Sequence, residues 1–143
     1  MPNLITPDQL QPTLVAGIGC QRGCSARTLF ELIEPTLERH GLQLQDLSAL
    51  ASIDIKSNEP GLLELARQLG LPLIFFSSAQ LAPFESQLTH RSPLAFQHTK
   101  CHGVAESAAL ALASRSGPAT LLIPRLKSQQ ATFALASALA QGR

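Results

Sequence analysis

The first apolar run of the chain, Thr-Leu-Val-Ala-Gly-Ile-Gly at residues 13–19, is short and closed by glycines. Such a run predicts a strand buried on both faces, here at about residues 13 to 18. Ser25 then stands as a helix N-cap, and Ala26, Leu29, Ile33 and Leu37 recur at helical spacing, with Gly41 just past the end and Pro35 expected to kink the helix. A second strand is predicted at residues 50–54, LASID, followed by a helix capped by Ser57 or Asn58, with Pro60 in its first turn and its end near Gly70. LPLIFFS reads as a third strand, so the first half alternates strand and helix at the spacing of βαβ units, which calls for parallel pairing. Residues 77–103 hold Pro83, Pro93 and, between 86 and 99, four serines or threonines, without sustained periodicity, and are expected to form loop with one short helix. GVAESAALALASRSG restores helix-forming residues. ATLLIP and ATFALAS read as two more strands around the polar turn RLKSQQ, although ATFALASALA fits a helix equally well.

The elements add up to an α/β fold, a single domain over residues 1–143. Its sheet is expected to be mixed but mostly parallel, of about five strands with flanking helices, and residues 1–12 to be an irregular N-terminal segment. A chain of this length buries roughly two-thirds of its unfolded surface in one core. Its 45% hydrophobic and 15% charged content belongs to a folded domain and not to a disordered tail. Eleven basic against ten acidic residues leave a formal charge of +1, with no basic block to neutralise phosphates, and the six phenylalanines without Trp or Tyr offer no base-stacking platform. Nucleic acid is therefore excluded as a partner. The first twelve residues hold three prolines and lack the basic start and apolar core of a signal peptide. No stretch reaches the run of about eighteen apolar residues needed to span a membrane. A cytoplasmic location is expected, in which the three cysteines stay as free thiols.

Parallel strands bring their C-terminal ends to one edge of the sheet, where open α/β sheets bind ligands. Three loops converge there: residues 17–25, GIGCQRGCS; residues 54–59; and Ser77 with Ser78. The glycines of the first run Gly17-x-Gly19-x-x-x-Gly23, one residue longer than the dinucleotide fingerprint, and no Walker lysine follows. The loop can still aim backbone N–H groups and a helix N-terminus at an anion beside Arg22; the alternative is a glycine turn kept for close helix–strand packing. Cys20, Cys24, His98, Cys101 and His102 are metal-ligating types, but they lack the tight C-x-x-C pairs of structural zinc sites and fall in separate segments, so neither a metal nor a cofactor is expected. Asp54, Lys56 and Glu59 form a charged triplet at a strand end. Glu106 lies in the first turn of its helix, where it favours the helix dipole, and Arg125 with Lys127 occupies a polar turn. No Ser/His/Asp ordering or nucleophile elbow points to hydrolysis.

Taken together, VAGIGCQRGCS, IDIKSNEPGLLELARQLGLPLIFFS, GVAESAAL and IPRLKSQQATFALA resemble, in order and over Leu14 to Ala136, the CobE/CbiG C-terminal domain family of cobalamin biosynthesis. The resemblance implies a cytoplasmic role in making the corrin ring, in a stand-alone member of the family without the segments that precede this domain in CbiG-type proteins. It matches Gly17, Gly19, Cys20, Arg22 and Gly23 in the first loop, Asp54, Lys56, Glu59 and Gly61 in the second, then Glu106 and Lys127. Gln21, Arg125 and the run SQQAT depart from the family pattern. The ligand-binding set implied is thus Gly17, Gly19, Cys20, Arg22, Gly23, Asp54, Lys56, Glu59, Glu106, Arg125 and Lys127. Two functions stand open. One is an accessory or carrier protein for a corrinoid or precorrin intermediate, whose carboxylates pair with Arg22, Lys56, Arg125 and Lys127, and which also meets other corrin-pathway enzymes. The other is an enzyme on such an intermediate, with Glu59 or Glu106 as acid/base and Cys20 as nucleophile. Arg125 and Lys127 reach the strand-end edge only if their strand runs parallel to the first three.

Overall fold

The computed structural model describes residues 12–139. Three strands, β1 (Thr13–Cys20), β2 (Ala49–Ile53) and β3 (Leu73–Phe76), pair in parallel. Two more, β4 (Ala119–Lys127) and β5 (Ala131–Ala138), complete a five-stranded sheet in the order β3-β2-β1-β5-β4. β5 is antiparallel to both β1 and β4. β4 therefore runs in the same direction as the first three strands, so the condition for Arg125 and Lys127 to reach the strand-end edge is met.

Helices cover both faces. α1 (Ala26–Arg39) and α2 (Pro60–Leu69) lay Leu29, Ile33, Leu37, Leu62 and Leu65 against Leu14, Ala16, Ile18, Phe133 and Leu135 of the sheet. Full burial of each such leucine contributes on the order of 1.5–3 kcal/mol. On the other face lie α3 (Ser78–Leu81) and α5 (Val104–Ala113), with α4 (Pro93–Thr99), which buries no residue, between them in the chain. There Val15, Ala51, Ile53, Phe76 and Ala136 meet Leu81, Ala108, Ala109 and Leu110. α5 is apolar nearly all round because it is buried nearly all round, and its alanines let it lie directly on β1. A Cβ on Gly17 would sit 1.8 Å from the Ala105 carbonyl oxygen, so only glycine allows that approach.

Several boundaries differ from the sequence expectation. β1 runs two residues further, to Cys20, and β2 is shifted back by one. The cap of α2 is Glu59 instead of Ser57 or Asn58, because a 3-10 turn over Asp54–Lys56 takes Ser57 as its own end, with the Ser57 N–H donating to the Asp54 carbonyl at 3.0 Å. α1 continues through Pro35 to Arg39. The middle segment holds two short helices and a 3-10 turn over Ala82–Gln87, more order than a loop with one helix; Ser77 and Ser92, polar signals for loop, are the N-caps of α3 and α4. Half of the expected turn RLKSQQ, Arg125 to Lys127, belongs to β4, leaving residues 128–130 to turn the chain, and ATFALASA is strand. The expectation of an irregular N-terminal segment falls, except for Pro12, outside the described residues. No helix among the described residues is long and apolar enough to cross a membrane.

Candidate functional site at the strand ends

The C-terminal ends of β1, β2, β3 and β4 meet at one edge, and backbone contacts bind their loops together. The Gln21 N–H donates to the Gln130 carbonyl at 2.8 Å, tying the first loop to the β4–β5 turn. Gly23 sits at φ 85°, in the left-handed region that favours glycine, and its N–H donates to Glu59 Oε2 at 2.8 Å. Glu59 is buried, and its own N–H donates to the Lys56 carbonyl at 3.0 Å. Its carboxylate caps the neighbouring loop and not α2, whose N-terminus has no side-chain cap. A Cβ on Gly61 would lie 1.9 Å from the Cys24 carbonyl oxygen, so the start of α2 presses directly on the first loop.

The predicted residues divide into exposed and buried groups around this junction. Arg22, Asp54 and Lys127 are exposed and Lys56 is half-buried. None of the cations Arg22, Lys56, Arg125 and Lys127 has an ion-pair partner among the described residues. Lys127 faces Thr132 across the β4–β5 ladder, and a Cβ on Gly19 would meet Thr132 Oγ1 at 2.5 Å. Gly17 lies deeper, under α5, away from the exposed loop that holds Gly23. Cys20 is buried, and burial pushes its thiol up to about 12; the nearby Lys56 charge opposes this, while Cys24 and Glu59 add to it. Such a thiol is not a nucleophile near neutrality. Burial and the Glu59 charge also raise Cys24.

Glu106 is fully buried and joins two further pieces of this edge. Its Oε1 accepts from the Thr89 N–H at 2.7 Å and the His90 N–H at 3.3 Å. Its Oε2 accepts from the Arg125 N–H at 2.9 Å and from the Thr89 hydroxyl. Arg125 can offer its N–H because the β4–β5 register slips between Ile123 and Leu126, freeing that group from the ladder. Burial alone would raise this carboxyl, but the Thr89 hydroxyl and the three backbone N–H groups outweigh it and hold the group below the ordinary glutamate value. The sequence placed Glu106 at a helix start; its actual donors come from a loop and a strand distant in the chain. Thr89 and His90 were not foreseen, since no periodicity marks their segment.

Beside them Glu85 accepts from the His102 N–H at 2.9 Å and lies 2.8 Å from His102 Nδ1, with Arg91 at 3.4 Å. Phe96 stacks on the His102 ring at 4.4 Å between centroids. His102 and Cys101 are thereby built into the 82–103 segment, Cys101 lying buried with Sγ 3.3 Å from Ser107 Oγ. No group of three or more His, Cys, Asp or Glu residues among the described residues is arranged to hold a metal ion.

A family model described as cobalamin synthesis G C-terminus matches residues 14–136. Protein CobE of Sinorhizobium sp is 39% identical over 123 residues, covering 86% of this chain and 79% of that protein. The cobalt-precorrin-5A hydrolase of Priestia megaterium is 34% identical over 86% of this chain, which spans only 32% of that protein. Among solved structures, that of CobE, a protein from the cobalamin (vitamin B12) biosynthetic pathway, superposes with a TM-score of 0.88 at 44% identity, covering 99% of this chain and 100% of that one. The cobalamin biosynthesis protein chiG from Agrobacterium tumefaciens str. C58 superposes with a TM-score of 0.66 at 28% identity, over 91% of this chain and 100% of that one.

Proposed function

The chain belongs to the cobalamin synthesis G C-terminus family, and from that premise we propose that it binds a corrinoid or precorrin intermediate of the corrin-ring pathway as a cytoplasmic accessory or carrier protein. One observation carries this reading. At the strand-end edge both candidate acid/base groups are committed as acceptors of backbone N–H groups, Glu59 from Gly23 and Glu106 from Thr89, His90 and Arg125, whereas the cations around them lack ion-pair partners among the described residues. Corrin intermediates carry several carboxylates on an apolar ring. Arg22, Lys56 and Lys127 supply charges for them, and Arg125 Nε, buried without a hydrogen-bond partner among the described residues, is a donor that such a carboxylate would satisfy. A carboxyl held below its ordinary range is a poor general acid near neutrality, and a thiol held near 12 is a poor nucleophile. Hydrolysis is a property of the longer relatives named for it, of which this chain spans about a third in the Priestia megaterium protein.

Absorbance titration of the purified protein with metal-free and cobalt-containing corrin acids tests the reading. Saturable binding without change of the ring is expected. Turnover by the protein alone, abolished in Glu106→Gln with binding intact, would decide for an enzyme.

A further inference from the structure

The contacts of Glu106 fix the state of a neighbouring ring. An ionised carboxylate only accepts hydrogen bonds, so the single hydroxyl proton of Thr89 points to Glu106 Oε2. The same Thr89 oxygen lies 2.7 Å from His90 Nδ1. Nδ1 must therefore carry a proton and donate it to that oxygen, so that whenever the ring is neutral its lone pair stands on Nε2. The His90 side chain is 46% exposed, and Nε2 has no hydrogen-bond partner among the described residues. Its place is the strand-end edge. The His90 N–H is bound by the first turn of α5, and its carbonyl faces Gly103, where a Cβ would approach to 3.1 Å. The carboxylate that fixes the ring also holds the Arg125 N–H.

An imidazole held from behind through one ring nitrogen, here by the Thr89 hydroxyl that Glu106 in turn fixes, with the opposite nitrogen presented outward, is how proteins prepare a histidine for a metal. This histidine has no companions able to complete a site for a free ion. The metal it suits is one whose other positions are already filled by the nitrogens of a macrocycle. We infer that His90 Nε2 is an axial ligand to the metal ion of a metallated tetrapyrrole held at the strand-end edge, an inference that rests on the corrinoid-binding reading above. The bond is a simple donation of the Nε2 lone pair, displacing one axial water from the metal.

The test compares cobyrinic acid, a cobalt corrin bearing ring carboxylates, with hydrogenobyrinic acid, the same ring without cobalt, on the wild-type protein, His90→Ala, His90→Gln and Thr89→Val. The expected result is a shift of the cobalt corrin absorption bands on the wild-type protein, absent in both His90 variants, with affinity for the cobalt ring reduced about tenfold or more. In the cobalt(II) form, the electron paramagnetic resonance lines should show splitting by one nitrogen, lost in the same variants. Thr89→Val should weaken the cobalt ring less than His90→Ala. The metal-free ring should bind the wild-type and His90→Ala proteins equally. Cobalt ring spectra and affinity unchanged in His90→Ala, or an equal loss for both rings, would overturn the axial ligand while leaving corrinoid binding standing. If neither ring binds the wild-type protein, both readings fall.

Discussion

At the scale of single residues, Glu106 shows what a buried charge requires. Among the described residues no lysine or arginine pairs with it, His90 Nδ1 lies at 3.8 Å, and the charge is carried instead by hydrogen-bond donors. Because its carboxyl is held low, its contribution to stability is complete above the ordinary glutamate range and is lost as pH falls through the lowered value. Glu106→Gln keeps the shape but turns an NH2 group toward existing donors. It should cost roughly 2–4 kcal/mol at neutral pH, with less further loss on acidification than the wild type, as read from urea unfolding at pH 7 and pH 4. The cysteines have the opposite sign. Cys20, Cys24 and Cys101 are raised chiefly by burial, so the native state favours the thiol form; that stabilisation is full below the unfolded thiol value and is lost as pH rises toward about 12 at Cys20. Iodoacetamide at neutral pH should leave all three unlabelled in the native protein and label all three in urea, as counted by mass spectrometry. The loop glycines and the charges at strand ends were legible in the sequence, because strand ends and glycine runs are local signals. The partners of Glu106 were not, since the donors lie 16 to 19 positions away and depend on how the 82–103 segment folds back.

At the scale of elements, close approach of backbone to backbone sets the tightest constraints. Gly17→Ala and Gly61→Ala would each drive a Cβ into a carbonyl oxygen, 1.8 Å away in one case and 1.9 Å in the other. Neither neighbour is a flexible side-chain end. Each substitution should destabilise by about 3 kcal/mol or more, at the upper end of overpacking costs, and Gly17→Ala should do so by lifting α5 off β1. Gly23→Ala is the contrast: nothing lies within 4 Å of the new methyl, and only the positive φ is strained, at a cost of about 1 kcal/mol. Thermal midpoints of the three variants decide whether packing or backbone conformation governs each glycine. The α1 and α2 helices were readable because their leucines keep strict helical spacing. α3 and α4 were not, because helices of four and seven residues give no period to detect and open on serines that also signal loops. The extra length of β4 was hidden by its arginine and lysine, which lie at the sheet's edge strand where polar side chains are tolerated.

At the scale of the whole molecule, the strand directions decide what can act together. β4 running with the first three strands brings Lys127 to the edge that already holds Arg22 and Lys56, although more than seventy residues separate the last two segments in the chain. Arg22→Ala and Lys127→Ala are each expected to weaken corrin acid binding by about 1.5 to 3 kcal/mol, more in low salt than in high, with thermal midpoints unchanged. Unaltered affinity in both would mean that these charges at the strand-end edge do not hold the ligand. The position of β5 has a different outcome, in the time domain. It is the last strand of the sheet to leave the ribosome, yet it fills the gap between β1 and β4 and pairs with β1 along its whole length. Until it is synthesised, β1 can recruit β2 and β3, but one flank of β1 is an open edge and β4 has nowhere to dock. Folding must then wait for contacts between opposite ends of the chain, which makes it slow for its size. A nascent chain halted before Ala131 should stay protease-sensitive and prone to aggregation, and should acquire resistance in a single step once β5 is free to insert.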